Sequence, residues 1–269
     1  MRQFEHFPNL VTLFFRRAAE NGTAPFLWHK ADRAWQSISW AETARQVASL
    51  AVSLGELGLV PGDRVMLVSE NRPEWCIADL GIMAAGCITV PTYTTNAERD
   101  HQHIIEDSGA SAIIVSTQKL AAAVMPAALR ATRAQHIIGI EPLRVGQTTG
   151  VKAHDWSALV GKTDVDVKAS AANAETAFRR DDLACIIYTS GTGGAPRGVQ
   201  QHHGAIFFFS CVGDKGHSLI SSLSSGTFSW PSSLSLPSLN SLSAVSTLFT
   251  PPFKSISVTL LLVLLFSVI

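Results

Sequence analysis

Residues 188–198 read Tyr-Thr-Ser-Gly-Thr-Gly-Gly-Ala-Pro-Arg-Gly, directly after an apolar run over residues 183–187. The apolar run is typical of a buried strand. Glycines in the following stretch allow backbone N–H groups to converge on an anion, and its Ser and Thr hydroxyls add donors. Pro196 restricts its own φ angle, and Arg197 carries a planar guanidinium that suits phosphate oxygens. The stretch therefore predicts a phosphate-binding loop.

The spacing excludes two other kinds of phosphate loop. A Walker A loop needs Gly-x4-Gly-Lys followed by Ser or Thr, but the sixth position counted from Gly191 is Pro196. A dinucleotide-binding fingerprint needs G-x-G-x-x-G. Gly191 and Gly193 fit that pattern, but Pro196 occupies the place of the third glycine.

The loop resembles the phosphate loop of the acyl-adenylate-forming enzymes, which include acyl-CoA synthetases, luciferases and the adenylation domains of peptide synthetases. That family's pattern is roughly Tyr-Thr-Ser-Gly-Thr-Thr-Gly-x-Pro-Lys-Gly-Val. Gly193 replaces a Thr and Arg197 replaces a Lys, and these changes keep a small residue and a cation. The alternative is an ordinary Gly-rich turn from a strand into a helix, and the length of the match argues against it. The matching positions are Thr189, Ser190, Gly191, Thr192, Gly194, Pro196, Gly198 and Val199.

Four earlier segments resemble the long-chain acyl-CoA synthetase branch of the same family. They lie at 69–75, 79–86, 90–95 and 107–110. After the loop, residues 201–206 resemble the family's next helix. The resemblance spans residues 7–206.

Strand-like and helix-like segments alternate along this part of the chain. Strands are predicted at 64–69, 87–90, 112–116, 136–140 and 183–187, with helices between the first four and an N-terminal hairpin at 26–28 and 35–38. Asn9 is the predicted N-cap of the first helix, and residues 39–42 form a capping box before the second. The pattern predicts an α/β fold, a mainly parallel sheet with helices on both faces. By resemblance, this is the N-terminal part of the large domain of an adenylate-forming enzyme. Residues 142–180 are predicted to be a long connector with one short helix near 155–160.

Composition narrows the class of protein. The net charge is zero, so nothing points to nucleic acid as a partner. The four cysteines are scattered and form no C-x-x-C pair, which favours a reducing cytosol over a disulfide scaffold or a zinc site. The N-terminus has no signal-peptide pattern. We expect a cytoplasmic protein that contacts membranes peripherally, if at all.

The sequence divides into three parts. Residues 1–206 form a partial AMP-binding domain. Residues 207–254 are rich in Ser and Leu, which predicts a low-complexity, poorly ordered segment. Residues 255–269 are apolar but fall short of the roughly 20 residues that cross a bilayer, so a marginal membrane tail, an interfacial segment and an aggregation-prone strand all stay open. The abrupt change after residue 206 also raises the hypothesis that the chain is out of frame there, or cut from a longer gene.

The resemblance implies a ligase that uses ATP, Mg²⁺ and CoA. It would activate a carboxylic acid, a fatty acid in the long-chain branch, through acyl-AMP to an acyl-CoA thioester. The family's later motifs and its C-terminal lid are not found in this sequence. The alternative is therefore a truncated, non-catalytic fragment with at most weak nucleotide binding, and a third hypothesis is a protein attached to a membrane by its apolar tail.

Candidate site residues follow from the loop chemistry and the resemblance. No catalytic residue and no metal ligand is assigned. His203 is a substrate-side candidate, because the family commonly has a His there, although a polar position at a helix start is an equal alternative. His101 and His103 stand two apart on a predicted helix and are expected on a solvated face. ATP phosphate binding is expected at Thr189, Ser190, Gly191, Thr192, Gly193, Gly194, Arg197 and Gly198.

Overall fold

The computed structural model describes residues 7–144, 150–189 and 195–206. The predicted segments at 207–254 and 255–269 lie outside these residues. None of the described helices is long and apolar enough to cross a membrane. In chain order the elements are α1 (Leu10–Asn21), β1 (Pro25–Ala31), β2 (Ala34–Ser39), α2 (Trp40–Glu56), β3 (Arg64–Val68), α3 (Pro73–Ala84), β4 (Ile88–Thr92), α4 (Glu98–Ser108), β5 (Ala112–Val115), α5 (Gln118–Arg130), β6 (His136–Gly139), β7 (Lys152–Asp155), α6 (Trp156–Val160), α7 (Val167–Ala177), β8 (Leu183–Thr189) and β9 (Arg197–His202).

The main sheet confirms the predicted α/β fold. Its strand order is β7-β6-β5-β3-β4-β8-β9. Neighbouring strands are parallel throughout, except that β9 runs antiparallel to β8. β1 and β2 form a separate antiparallel hairpin, as predicted. Its tight turn places Asp32 and Arg33 at positive φ, the backbone that two-residue hairpin loops prefer.

The central strands are apolar on both faces because helices cover both. On one face, Val65 and Leu67 of β3 pack in a core with α1, α2 and α3. On the other face, Met66 and Val68 pack with α4 and α5. Strands buried on both sides appear in a sequence as continuous apolar runs, and for this reason β3 to β6 and β8 were predictable. α3 is apolar on most sides and almost wholly buried, also as predicted.

The predicted long connector is wrong in part. Residues 142–180 contain β7 and α7 as well as the predicted short helix α6. β7 pairs with β6 in register and lies at the edge of the main sheet. Most of its side chains are exposed, so it lacks the apolar alternation that identifies a strand. In α7 Ala174 is the buried residue, which leaves the helix without a recognisable apolar stripe.

The helix predicted from residue 201 begins later. Gln201 and His202 belong to β9, which is an exposed strand. Helical backbone starts at His203. A polar, exposed strand shows no alternation of apolar residues, so its backbone pairing with β8 was not visible in the sequence.

Helix caps follow the predicted chemistry. Asn9 Oδ1 accepts a hydrogen bond from the N–H of Thr12 at 2.8 Å and so caps α1. Ser39 Oγ accepts from the N–H of Glu42 at 3.1 Å. The Glu42 carboxylate binds Arg45, so the second half of the predicted capping box is replaced by an ion pair.

Asn9 also joins α1 to α7. Its side chain is fully buried, and its amide donates to the carbonyl oxygens of Ala174 at 2.7 Å and Phe178 at 3.0 Å. One side chain thus satisfies the start of α1 and the end of α7. This contact fixes a segment whose sequence pattern is weak.

Replacing Asn9 with Ala should destabilise the fold by about 2–3 kcal/mol, because a helix cap and two buried hydrogen bonds are lost together. Urea unfolding measures this loss: the free energy of unfolding should fall, while its slope against urea concentration stays unchanged. Asn21→Ala is the matched control: this Asn is exposed, and its side-chain amide donates to the Arg17 carbonyl of its own helix. Equal losses in the two variants would contradict the role of Asn9.

Asp79 is a carboxyl group in the apolar core. It lies on α3 and is 5% exposed. Burial raises the pKa of Asp79 to about 7. The folded state therefore binds a proton that the unfolded state releases at much lower pH. The stability associated with this proton is present in acid and is lost as the pH rises through about 7.

Asp79→Asn removes this ionisation while keeping the shape of the side chain. As the pH rises from 5 to 8, the free energy of unfolding of the variant should increase relative to that of the unsubstituted chain by on the order of 2 kcal/mol. Urea unfolding at the two pH values measures the difference. The exposed Asp164→Asn variant serves as the control. A difference between variant and parent that stays constant with pH would show that the Asp79 carboxyl is not titrating in the core.

Candidate phosphate-binding site

The two arms of the predicted phosphate loop are paired strands. Thr189 at the end of β8 lies opposite Arg197 at the start of β9, and Tyr188 lies opposite Gly198. In the sequence, the Gly-rich stretch connects the two residues of the first pair. Of the predicted phosphate-binding residues, the structure places Thr189, Arg197 and Gly198. The others lie outside the described residues: Ser190, Gly191, Thr192, Gly193 and Gly194.

The arms meet at the carboxyl end of β8. β8 runs parallel to β4, so their carboxyl ends share one edge of the sheet. This is the edge at which open α/β sheets bind ligands. A cavity of about 550 Å³ lies here between the β8–β9 arms and the start of α4. Its lining includes Tyr93, Asn96, Arg99, Ala195 and Pro196.

Two side chains of α4 contact the arms directly. The hydroxyl of Tyr188 donates to Asp107 Oδ2 at 2.6 Å. The ring nitrogen Nε2 of His103 lies 2.8 Å from the carbonyl oxygen of Pro196. The His103 and Tyr188 rings also meet edge to face, with centroids 6.2 Å apart. Burial, and then the neighbouring Asp107 carboxylate, raise the pKa of Tyr188, so the phenol stays protonated as a donor.

The prediction of a solvated face for His101 and His103 is wrong. His101 is fully buried, and neither of its ring nitrogens has a hydrogen-bond partner within the described residues. Burial lowers its pKa and keeps the imidazole neutral. His103 is half-buried and bonds to the loop arm. In the sequence, the spacing of His103 and Asp107 by four positions indicated that both lie on one helix face. It could not identify their partners, which lie 93 and 81 positions further along the chain.

Packing requires a glycine at position 198, for a reason that the loop motif did not suggest. A Cβ atom at this position would lie 2.8 Å from Ile186 Cγ2 and 3.1 Å from the Tyr188 ring. The glycine lets β9 approach the tyrosine of the opposite arm. Contact of Gly198 with phosphate stays a prediction.

The structure separates His203 from the loop. His203 follows β9, at the far end of that strand from Arg197, and a six-residue strand spans about 20 Å. Its backbone N–H donates to the carbonyl of Asp182, just before β8. The side chain is 3% exposed, and burial lowers its pKa to about 4. A substrate-side role for His203 stays a prediction, without support from proximity to the loop.

Other polar groups at this edge of the sheet bind each other. Ser116 donates a short hydrogen bond to Glu70. Arg72 bridges Glu74 at 2.8 Å and Glu141 at 3.0 Å. These contacts join the carboxyl ends of β3, β5 and β6. Glu74, in the first turn of α3, is the ion-pair partner of Arg72.

The thiols of the described residues are buried and form no disulfide. Cys76, Cys87 and Cys185 are free cysteines, and burial raises the pKa of Cys76 and Cys87 to about 12. Cys211 lies outside the described residues. In the parts of the chain that the structure describes, no three His, Cys, Asp or Glu side chains converge as metal ligands.

Comparison with known proteins supports the resemblance found from the motifs. The model of the family described as AMP-binding enzyme matches residues 14–262. The long-chain-fatty-acid–CoA ligase FadD15 of Mycobacterium tuberculosis is 30% identical over 192 residues, covering 71% of this chain and 31% of the relative. Long chain acyl-CoA synthetase 1 of Arabidopsis thaliana is 27% identical over 215 residues, covering 77% and 30%. The chain thus spans about a third of the length of these relatives.

Solved structures share the fold. Acetoacetyl-CoA synthetase from Streptomyces lividans superposes with a TM-score of 0.62 at 22% identity, covering 75% of this chain and 31% of that one. The anthranilate CoA ligase AuaEII, in complex with anthranoyl-AMP, gives a TM-score of 0.60 at 18% identity, covering 77% and 37%. At these identities the likeness concerns the fold alone. Because the family model covers most of its residues, the chain belongs to the family of AMP-binding enzymes.

Proposed function

We propose that the protein takes part in ATP-dependent activation of a fatty acid. A carboxylate oxygen attacks the α-phosphorus of ATP, which forms acyl-AMP and releases pyrophosphate. The thiol of CoA then attacks the acyl carbon and releases AMP, which forms the thioester. The names of the curated relatives, long-chain fatty-acid ligases and synthetases, support this substrate class.

One observation carries the proposal for this chain. Arg197 and Thr189 lie opposite each other where the two arms enter the Gly-rich loop. Both are exposed at the ligand-binding edge of the sheet. Within the described residues Arg197 has no carboxylate partner, so its charge is available to an anion. A guanidinium and a hydroxyl at the mouth of a glycine loop suit the oxygens of a polyphosphate.

The contribution of these residues to the reaction is positional and electrostatic. Arg197 would neutralise charge on the β- and γ-phosphates and hold the chain of phosphates in place. A fixed orientation lets the carboxylate approach the α-phosphorus in line with the leaving pyrophosphate. A fixed cation needs no reorganisation as charge builds on the leaving group.

The described residues of the site suit Mg²⁺ as an ion brought by the nucleotide. Mg²⁺ keeps several waters and is usually held by substrate phosphates with one or two protein ligands. The two nearby carboxylates already accept hydrogen bonds, Asp107 from Tyr188 and Asp100 from the N–H of Ala97. The Thr189 hydroxyl, at the end of the incoming arm, is the protein oxygen placed to reach the ion. When bound, the ion would screen the phosphate charges during the attack on the α-phosphorus.

Arg197→Ala should weaken ATP binding by this chain about 10- to 100-fold, because a charge-assisted contact to phosphate is lost. Arg197→Lys should keep most of the affinity, since the cation remains. Arg179→Ala is the matched control: it removes an exposed arginine before the opposite end of β8 and should leave binding unchanged. Titration calorimetry with Mg·ATP measures all four proteins. Equal affinities for Arg197→Ala and the parent would contradict the phosphate role.

A second assay separates catalysis from binding. Exchange of labelled pyrophosphate into ATP, measured with a series of fatty acids, reports acyl-AMP formation. Exchange that depends on a fatty acid would assign the activation step to this chain. ATP binding without exchange would assign to it only the nucleotide-binding part of the function. The absence of ATP binding would contradict both.

A further inference from the structure

We propose that His103 and Asp107 of α4 are positioning residues that hold the two arms of the phosphate loop. This inference rests on the proposed ATP-binding function of the loop. Asp107 fixes the arm that leads into the loop, through the hydroxyl of Tyr188. His103 fixes the arm that leads out, through the carbonyl of Pro196.

The geometry of α4 makes one helix face contact both arms. His103 and Asp107 are separated by four residues, so their side chains lie on one face, one turn apart. The two hydrogen bonds join residues 93 and 81 positions apart in the sequence. The edge-to-face contact between the His103 and Tyr188 rings adds a third link between the same elements.

Hydrogen bonds matter here because the outgoing arm borders a cavity. The cavity of about 550 Å³ lies against Ala195 and Pro196, so the arm has open space on that side. Pro196 has no N–H, and its carbonyl is the polar backbone group that it can offer. The bond to His103 therefore limits how far the arm can move into the cavity.

α4 is itself fixed at both ends, as an anchoring element should be. At its C-terminus, Arg64 donates to the carbonyls of Ser108 at 2.7 Å and Gly109 at 2.9 Å. At its N-terminus, Glu98 forms an ion pair with Arg130 of α5. The buried face of the helix packs in the core beneath the sheet.

Each of the two bonds has a defined donor and acceptor. The carbonyl of Pro196 can only accept, so His103 must carry its proton on Nε2. That proton is present in one neutral tautomer and in the cation alike. Asp107 accepts from a phenol whose pKa is raised, so the tyrosine does not lose its proton near neutral pH.

The test uses three variants and a control. His103→Leu removes the donor, His103→Gln keeps an N–H that can reach the carbonyl, and Tyr188→Phe removes the hydroxyl while keeping the ring. His154→Leu is the matched control. His154 lies on β7, at the opposite edge of the sheet. It is half-buried, and its Nε2 lies 3.0 Å from Nδ1 of His136 on β6.

The first readout is hydrogen exchange over residues 189–198 without nucleotide, and the second is the dissociation constant for Mg·ATP. His103→Leu and Tyr188→Phe should exchange faster in this segment and bind ATP about 3- to 10-fold more weakly, as expected for the loss of one hydrogen bond. His103→Gln should recover most of both. His154→Leu should match the parent in this segment.

The two readouts test different claims: ATP binding tests the proposed function, and hydrogen exchange tests the anchoring of the arms. If the parent does not bind ATP, the proposed function is wrong, whereas the exchange data still test the anchor. If exchange in this segment is the same in His103→Leu, Tyr188→Phe and the parent, the anchor is overturned even when the parent binds ATP. Equal acceleration in His154→Leu would also overturn it, because the effect would then reflect general loss of stability.

Discussion

The pairing of β3 with a parallel strand on each side determines where everything else lies. β4 and β5 flank β3 in register, and parallel neighbours can be joined only by crossovers that pass over a face of the sheet. The crossover through α3 covers one face and those through α4 and α5 cover the other. All the parallel strands therefore end at one edge. The two arms of the predicted phosphate loop, the cavity and the Arg72 ion pairs lie at this edge, where the parallel strands end.

Burial decided how much of this fold was visible in the sequence. β3, β5 and β6 are buried on both faces, and their apolar runs predicted them directly. β7 and β9 lie at the edges of the sheet and keep polar or exposed side chains. What holds them is backbone hydrogen bonding, which any residue except proline can supply. Such strands leave no periodic pattern, so one appeared as a connector and the other as part of a helix.

The candidate site could be read from the sequence to the extent that it is local. The glycines, hydroxyls and cation of the predicted loop stand within eleven consecutive positions, and the structure pairs Thr189 with Arg197 on either side of its glycines. His103 and Asp107 could not be assigned in the same way, because their partners lie on strands that follow much later. His203 shows the converse case. It is close to the loop in sequence, but an extended strand moves it to the other end of the sheet.

The Asp79 carboxyl has a consequence for any event that moves α3 against β4. Because burial raises its pKa to about 7, its ionised and neutral forms are close in free energy near neutral pH. A change in how closely the helix covers the strand must then change the average number of protons bound. Binding of a ligand that shifts α3 would take up or release protons, and its measured heat would depend on the ionisation enthalpy of the buffer. Proton uptake or release on binding would therefore indicate movement of α3 against β4.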